Sequence, residues 1–482
     1  MRSEARDLPE SLIVVTEIVQ KSPLAPVFAD RTWLRAWTDE ARALAVLAGP
    51  LVVTQLAQMA VMTTDIVLLG RFSRQALAAA AIGNTVYFFA WIVGGGPAFA
   101  VAPIIAQSLG LAPNDRAAVR RATRMGLWSV LIVCAPMLVL LWNTRAILLA
   151  LGQDPVLAEG AGVFVRAVEL GLPFTLGFRA LGSFATAVGK PHAQMWVMAG
   201  MIGFNALAGY SLIFGHFGFP RLGILGSGLA TASSSVVAFA AMTAMVRLDR
   251  SLAAYRVFRR LWRPAFAHLR EVFRLGLPMA MTMMFEAMLF NVMTLVMGSF
   301  GVVPLAAHQI ALNVASVTFM VPLGLGMAST VRVGLAIGAG DQDGARRAGL
   351  TAMLIGVAFI SLCGLAMVLA GGPIASLYVG GRAMADLQVI AMAAVFLKVA
   401  AAFQVFDALQ VVAAQALRGL KDARVPMFIA GGAYWLVGAP VCLILALAWK
   451  MQGLGIWIGF AVGLGAAAAA LAARFLVQTR PA

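Results

Sequence analysis

The chain has 482 residues, 61% of them apolar and only 12% charged. Soluble globular proteins carry about a quarter charged residues, so an ordinary water-soluble fold is excluded. The formal net charge of +16 raises nucleic acid as a partner, but the placement of the basic residues described below excludes it.

Residues 1–42 are charged and hold one short apolar stretch, Leu12 to Val19, broken by Glu17. They read as a cytoplasmic N-terminal tail and not as a signal peptide. Beyond them, twelve largely apolar runs fall near 44–69, 83–109, 124–142, 160–186, 193–215, 224–246, 275–298, 309–336, 348–370, 386–417, 425–448 and 454–477. Each can cross a hydrocarbon core of about 30 Å as a helix. The fold class is therefore all-α integral membrane, with the lipid bilayer as solvent. With the N-terminus in the cytoplasm, the even-numbered loops and both tails hold 26 of the 36 Lys and Arg, including Arg120, Arg121, Arg259, Arg260, Arg346 and Arg347. The other side holds Arg71, Arg74, Arg145, Arg221, Arg382 and Lys450. This asymmetry follows the positive-inside rule and puts both termini in the cytoplasm of a multi-pass protein of the bacterial inner membrane.

Sliding the chain along itself gives an ungapped match at an offset of 228 residues, with Pro50 on Pro278, Gly70 on Gly298, Ile82 on Ile310, Gly110 on Gly338 and Asp115 on Asp343. A weaker match at an offset of 231 sets Lys190 on Lys421. The repeat unit has six spans, an even number, so the halves are parallel copies related by an axis along the membrane normal. The chain divides into an N-terminal six-helix lobe (43–246), a basic cytoplasmic linker with an amphipathic segment (247–274) and a C-terminal six-helix lobe (275–482). Duplicated lobes facing a central cavity suit a transporter, since rocking one against the other exposes a fixed site to each side in turn. A channel or scaffold could share this duplication.

Ionisable groups inside apolar spans mark functional positions, because each costs about 2.5–3.5 kcal/mol on insertion scales. Asp65 lies in span 1, Glu286 near the middle of span 7 and Asp407 in span 10; Glu169 and Lys398 complete the set of deeper charges. The offset lays Gln58 on Glu286, so the two lobes share a frame but not a chemistry. Gln58 and Asp65, seven residues apart, fall on one side of span 1. Glu286 and Asp407 converging in a dry cavity form a cation site: burial and mutual repulsion favour the neutral acid and a bound Na⁺ favours the charged form, so either ion can couple. The competing reading is an acid that pairs with a base and only fixes packing; Lys398 lies too far along its helix to do this for Asp407. Met284, Phe285 and Met288 belong to a Met and Phe cluster around Glu286 that can line a cavity for flat organic cations or face lipid. Gly94-Gly95-Gly96-Pro97 in span 2 and Pro322, Gly324 and Gly326 in span 8 predict paired helix breaks. Cys134, Cys363 and Cys442 have no metal-ligand spacing, and no nucleophile and base set for an enzyme appears in the spans.

These motifs resemble the multidrug and toxic compound extrusion family over nearly the whole chain from about residue 40, and look most like its bacterial NorM-type branch. The pieces that carry the resemblance are Asp65 followed by Gly70-Arg71, Ala306-Ala307-His308-Gln309-Ile310, Val331-Arg332-Val333-Gly334, Leu417-Arg418-Gly419-Leu420-Lys421-Asp422, Glu286 after Phe285, and Asp407 before Gln410. The resemblance implies efflux of small organic cations or drugs by antiport with Na⁺ or H⁺, with no cofactor beyond that ion and no obligatory protein partner. It implies that Glu286 and Asp407 bind the coupling cation, as Na⁺ ligands if sodium is used, and that Asp65 contributes from the N-terminal lobe. Gln58, Asn205, Phe403 and Gln309 join the expected cavity lining. Phe403 stands where NorM-type members often have a tyrosine, and the family's Asn-x-x-x-Asn pair is reduced to Asn205 and Gly209. A lipid-linked precursor flippase of the same superfamily is the alternative, and would need a strongly cationic cavity.

Overall fold

The computed structural model describes residues 33–263, 265–379 and 384–480; the stretch Leu12 to Val19 and Arg382 lie outside them. The chain has to fold as helix wherever it meets hydrocarbon, because no water is there to satisfy an unpaired backbone amide. Among the described residues there are no strands, and twelve helices are long and apolar enough to cross a membrane. In the first half these are α1 (Trp33–Phe72), α2 (Arg74–Leu111), α3 (Arg116–Trp142), α4 (Pro155–Ala187), α5 (His192–Phe214) and α6 (Ile224–Leu248). In the second half they are α7 (Phe266–Gly298), α8 (Val302–Gly338), α9 (Gln342–Ser376), α10 (Asp386–Gly419), α11 (Arg424–Ala448) and α12 (Gln452–Gln478). Side-chain caps start several of them: Asp115 accepts from the amides of Ala117 and Ala118 at 2.9 Å, and Asp154 does the same ahead of Pro155.

The helices outrun the apolar runs that announce them. The first begins at Trp33, inside the stretch expected to be tail, because Glu40 is 2% exposed and paired with Arg332 on α8. A criterion that stops at a charge cannot see a charge buried by a distant partner. Likewise α7 begins at Phe266, so the amphipathic part of the expected linker is its first turns, and Leu269, Val272 and Leu275 are buried in the core of the N-terminal lobe. The expected breaks in α2 and α8 are absent; both helices run unbroken through their glycines and prolines. Gly94 and Gly326 pack within their own lobes, against Leu176 and Gln415, while Gly96 and Gly324 let the lobes approach. A Cβ on Gly96 would stand 2.7 Å from that of Ala280, and one on Gly324 would stand 2.6 Å from Val52; positions 52 and 280 are equivalent under the 228-residue offset.

The lobes meet across a pseudo-twofold axis. Gly110 and Gly338, each the other's equivalent, lie in contact: a Cβ on Gly110 would sit 2.1 Å from the Leu335 carbonyl oxygen, and one on Gly338 would sit 2.2 Å from that of Gln107. Positions 107 and 335 are themselves offset-equivalent, so the contact is isologous in the manner of a symmetric dimer. The exchange extends to the cores. Leu44, Leu47 and Leu51 of α1 join a cluster with Leu325, Met353 and Leu417 of the second lobe, while the start of α7 joins the first lobe. All these contacts occupy one end of the bundle, where Arg332 Nε also donates to Glu40 Oε1 at 2.8 Å and Gln107 Nε2 to the Gly419 carbonyl at 2.8 Å.

Two outcomes follow from this closed end. Gly338→Val places a side chain against the Gln107 carbonyl and should part the lobes, raising the labelling of a cysteine placed at Gln107 by a membrane-impermeant maleimide; Gly203→Val, with open space around it, should leave labelling unchanged. Arg332→Gln strands the buried Glu40 carboxylate, at a cost of about 3–5 kcal/mol. In detergent the melting temperature should fall clearly, and Glu40→Gln added to Arg332→Gln should recover part of the loss.

Candidate functional site

Beyond the closed end, the lobes enclose a cavity of about 430 Å³, within the range of pockets that take drug-sized molecules. On α7 the lining residues are Thr282, Met283, Glu286, Ala287, Phe290 and Asn291, pairs that recur every four residues and make one stripe of the helix. Met284 and Phe285 fall off that stripe. Phe285 turns to α11, where a Cβ on Gly431 would lie 3.1 Å from its ring; Met288 is 40% exposed on the outer side. On α8 the stripe runs through Leu312, Ser316, Phe319 and Leu323, and Gln309 lies about one turn beyond Leu312, exposed. Phe403 lines the cavity from α10 and is buried among Phe290, Trp457 and Phe460.

Glu286 and Asp407 come together through a third residue. The side-chain amide of Gln410 donates to Glu286 Oε1 at 3.4 Å and to Asp407 Oδ1 at 3.3 Å, while its oxygen accepts from the Tyr434 hydroxyl at 3.0 Å. Tyr434 reaches it from a π-helical turn, Ala433–Gly438, in α11. Carboxylate oxygens only accept, so the amide nitrogen faces the acids, and the amide oxygen is left for the Tyr434 hydroxyl to donate to. One amide thus serves two carboxylates and leaves their other oxygens to the cavity, an arrangement able to take a proton, a small cation or the ammonium of a ligand.

Asp65 belongs to a different group. Its Oδ2 accepts from Thr231 on α6 at 3.0 Å, and its Oδ1 is buried without a partner. Asn205 of α5 is fully buried with both amide atoms unpaired; one turn on, Gly209 packs against Leu68 of α1, which puts Asn205 near the level of Asp65. Gln58 does not pair with an acid but accepts from Arg179 of α4. Lys398 is exposed, away from Asp407.

Sequence reasoning missed the role of Gln410 as the bridge, Arg418 and Arg179 on the cavity wall, and Tyr434 buried behind Gln410. The repeat held a signal for two of them. The 231-residue offset sets Arg179 on Gln410, and the 228-residue offset sets Gln58 on Glu286, so Gln410–Glu286 and Arg179–Gln58 are the same contact in two lobes, acidic in one and basic in the other.

A charged cavity between the halves of a duplicated helical bundle defines a membrane carrier of the parallel-repeat class. The MatE family model matches residues 50–210 and 278–444, two copies that start 228 residues apart, and the chain belongs to that family of transporters. It is 44% identical over 445 residues to the probable multidrug resistance protein NorM of Mesorhizobium japonicum, covering 92% of this chain and 95% of the relative. It is 40% identical over 439 residues to the protein of the same name from Brucella suis, covering 91% and 93%. The eukaryotic MATE transporter AtDTX14 has the same fold, with a TM-score of 0.82 at 24% identity over 92% of this chain and 97% of that one.

The Tyr434 hydroxyl has a checkable role. Tyr434→Phe leaves the Gln410 amide oxygen without its donor and forfeits about 1 kcal/mol. The affinity for a fluorescent organic cation should fall by about fivefold in a titration of purified protein, while Tyr210→Phe, at an exposed position, should leave it unaltered.

Proposed function

We propose that this protein exports organic cations across the bacterial inner membrane in exchange for inward-moving Na⁺ or H⁺. The observation that carries the reading is the Glu286–Gln410–Asp407 group on the wall of an inter-lobe cavity with aromatic sides. Two carboxylates in a site of low dielectric need compensation, and each uncompensated ion costs several kcal/mol. A proton, a Na⁺ ion or the positive end of a substrate can supply it, and because they compete for one group, binding of one expels another. The names of the relatives support multidrug efflux as the activity.

With the N-terminus in the cytoplasm, the glycine contacts and the Glu40–Arg332 pair close the inner face, so the described state is the one that opens outward, where substrate leaves and the coupling ion enters. Asp65 and Thr231 form a second polar group inside the N-terminal lobe, able to sense protonation as the helices around it repack. A lipid-pyrophosphate flippase is less well served by this cavity, since Arg179 and Arg418 are matched in number by Glu286 and Asp407.

Proteoliposomes given a sodium gradient or a proton gradient separately should show uptake of a fluorescent cation driven by one of them. Glu286→Gln should abolish that uptake without changing the melting temperature. Undiminished gradient-driven uptake in this variant overturns the assignment.

A further inference from the structure

We infer that Arg179 is a specificity-determining residue of the cavity: it forms an anion subsite that takes a carboxylate or similar single negative charge of the substrate. The inference rests on the cation site proposed above and adds a second point of recognition on the opposite lobe. Arg179 is 4% exposed yet lines the cavity. Its terminal nitrogens donate to neutral partners, Gln55 Oε1 at 3.2 Å and Gln58. Its Nε is buried without a partner. Among the described residues no carboxylate pairs with it.

A guanidinium has five N–H donors in a planar fork, and the two amides do not use them all. The rings of Trp91 and Phe99 each lie 5.6 Å from its central carbon, which offsets part of the cost of burying a cation and holds the fork in place. Arg418, the other cavity guanidinium, differs: it donates to Gln415 at 3.0 Å and stands on the same helix as Asp407. Arg179 therefore faces the acids from across the lobe interface with hydrogen-bonding capacity to spare. A planar carboxylate matches an Arg fork as a lone halide or a bulky lipid head does not. A molecule that places an amine at Glu286 and Asp407 and a carboxylate at Arg179 touches both lobes, which is where a carried molecule can bias their rocking.

The test uses two xanthene dyes with the same cationic ring system, one with a free carboxylate and the other its methyl ester, titrated by fluorescence anisotropy against the purified full-length protein. The wild type should bind the free acid more tightly than the ester. Arg179→Gln should weaken the free acid by about tenfold and leave the ester within about twofold; Arg179→Lys should keep part of the preference. An ester bound as tightly as the free acid by the wild type, or equal losses for both dyes in Arg179→Gln, overturns the anion subsite. Glu286→Gln separates the two readings: it should weaken both dyes, and no effect on either counts against the cation site while leaving the acid-against-ester comparison to decide Arg179.

Discussion

The contact between Gly110 and Gly338 governs how the two halves of this transporter can be arranged. Backbone lies against backbone there, and any side chain at either position would occupy a carbonyl oxygen of the other lobe. Since each glycine is the other's equivalent, the contact sits on the axis that relates the lobes, and the Gly96–Ala280 and Gly324–Val52 approaches repeat on either side of it. With the lobes drawn together at one end, the same helices diverge toward the other, and the space between them becomes the cavity. The buried Glu40–Arg332 pair is the asymmetric part of the closure. Its offset-equivalents are His268 and Ile104, which cannot form an ion pair, so this charged latch has no counterpart on the other side of the seam.

Within that frame the chemistry is divided. In the second lobe an amide bridges two acids; in the first, the equivalent position carries a guanidinium held by two amides and two ring faces. A charge taken out of water needs a compensating partner, and in both lobes the partners are neutral and leave capacity unused toward the cavity. That incomplete satisfaction separates a binding site from a structural ion pair such as Glu40–Arg332, in which each charge is spent on the other. The acids and the arginine stand on helices of different lobes, so what binds them also senses the relation between the lobes.

Much of the fold could be read directly. Twelve apolar runs, the basic asymmetry and the 228-residue offset led to twelve helices in two parallel halves, because hydrophobic length and self-similarity are properties of the chain taken in order. Helix ends were less legible where a charge was buried, as at Glu40, or where an amphipathic stretch such as Leu269 to Leu275 packs into the opposite lobe. The glycines of α2 and α8 suggested breaks, yet they are contact surfaces; a glycine has the same signature in sequence whether it bends a helix or admits a neighbour. In the cavity, Glu286 and Asp407 stood out as charges in apolar surroundings. Met284, Phe285 and Met288 could not be sorted by sequence, since a one-position step on a helix turns a side chain by about 100°.

The sequence by itself determined the number of spans, their duplication, the lobe that carries the acid pair and the membrane as solvent, all of which follow from composition and order along one dimension. Only the tertiary structure decided that Gln410 joins the acids, that Tyr434 donates to its oxygen, that Asp65 belongs to a separate group, and that Arg179 faces the acid site from the other lobe. Those relations depend on which helix faces come to lie together, and that is set by the packing of twelve helices against one another in three dimensions.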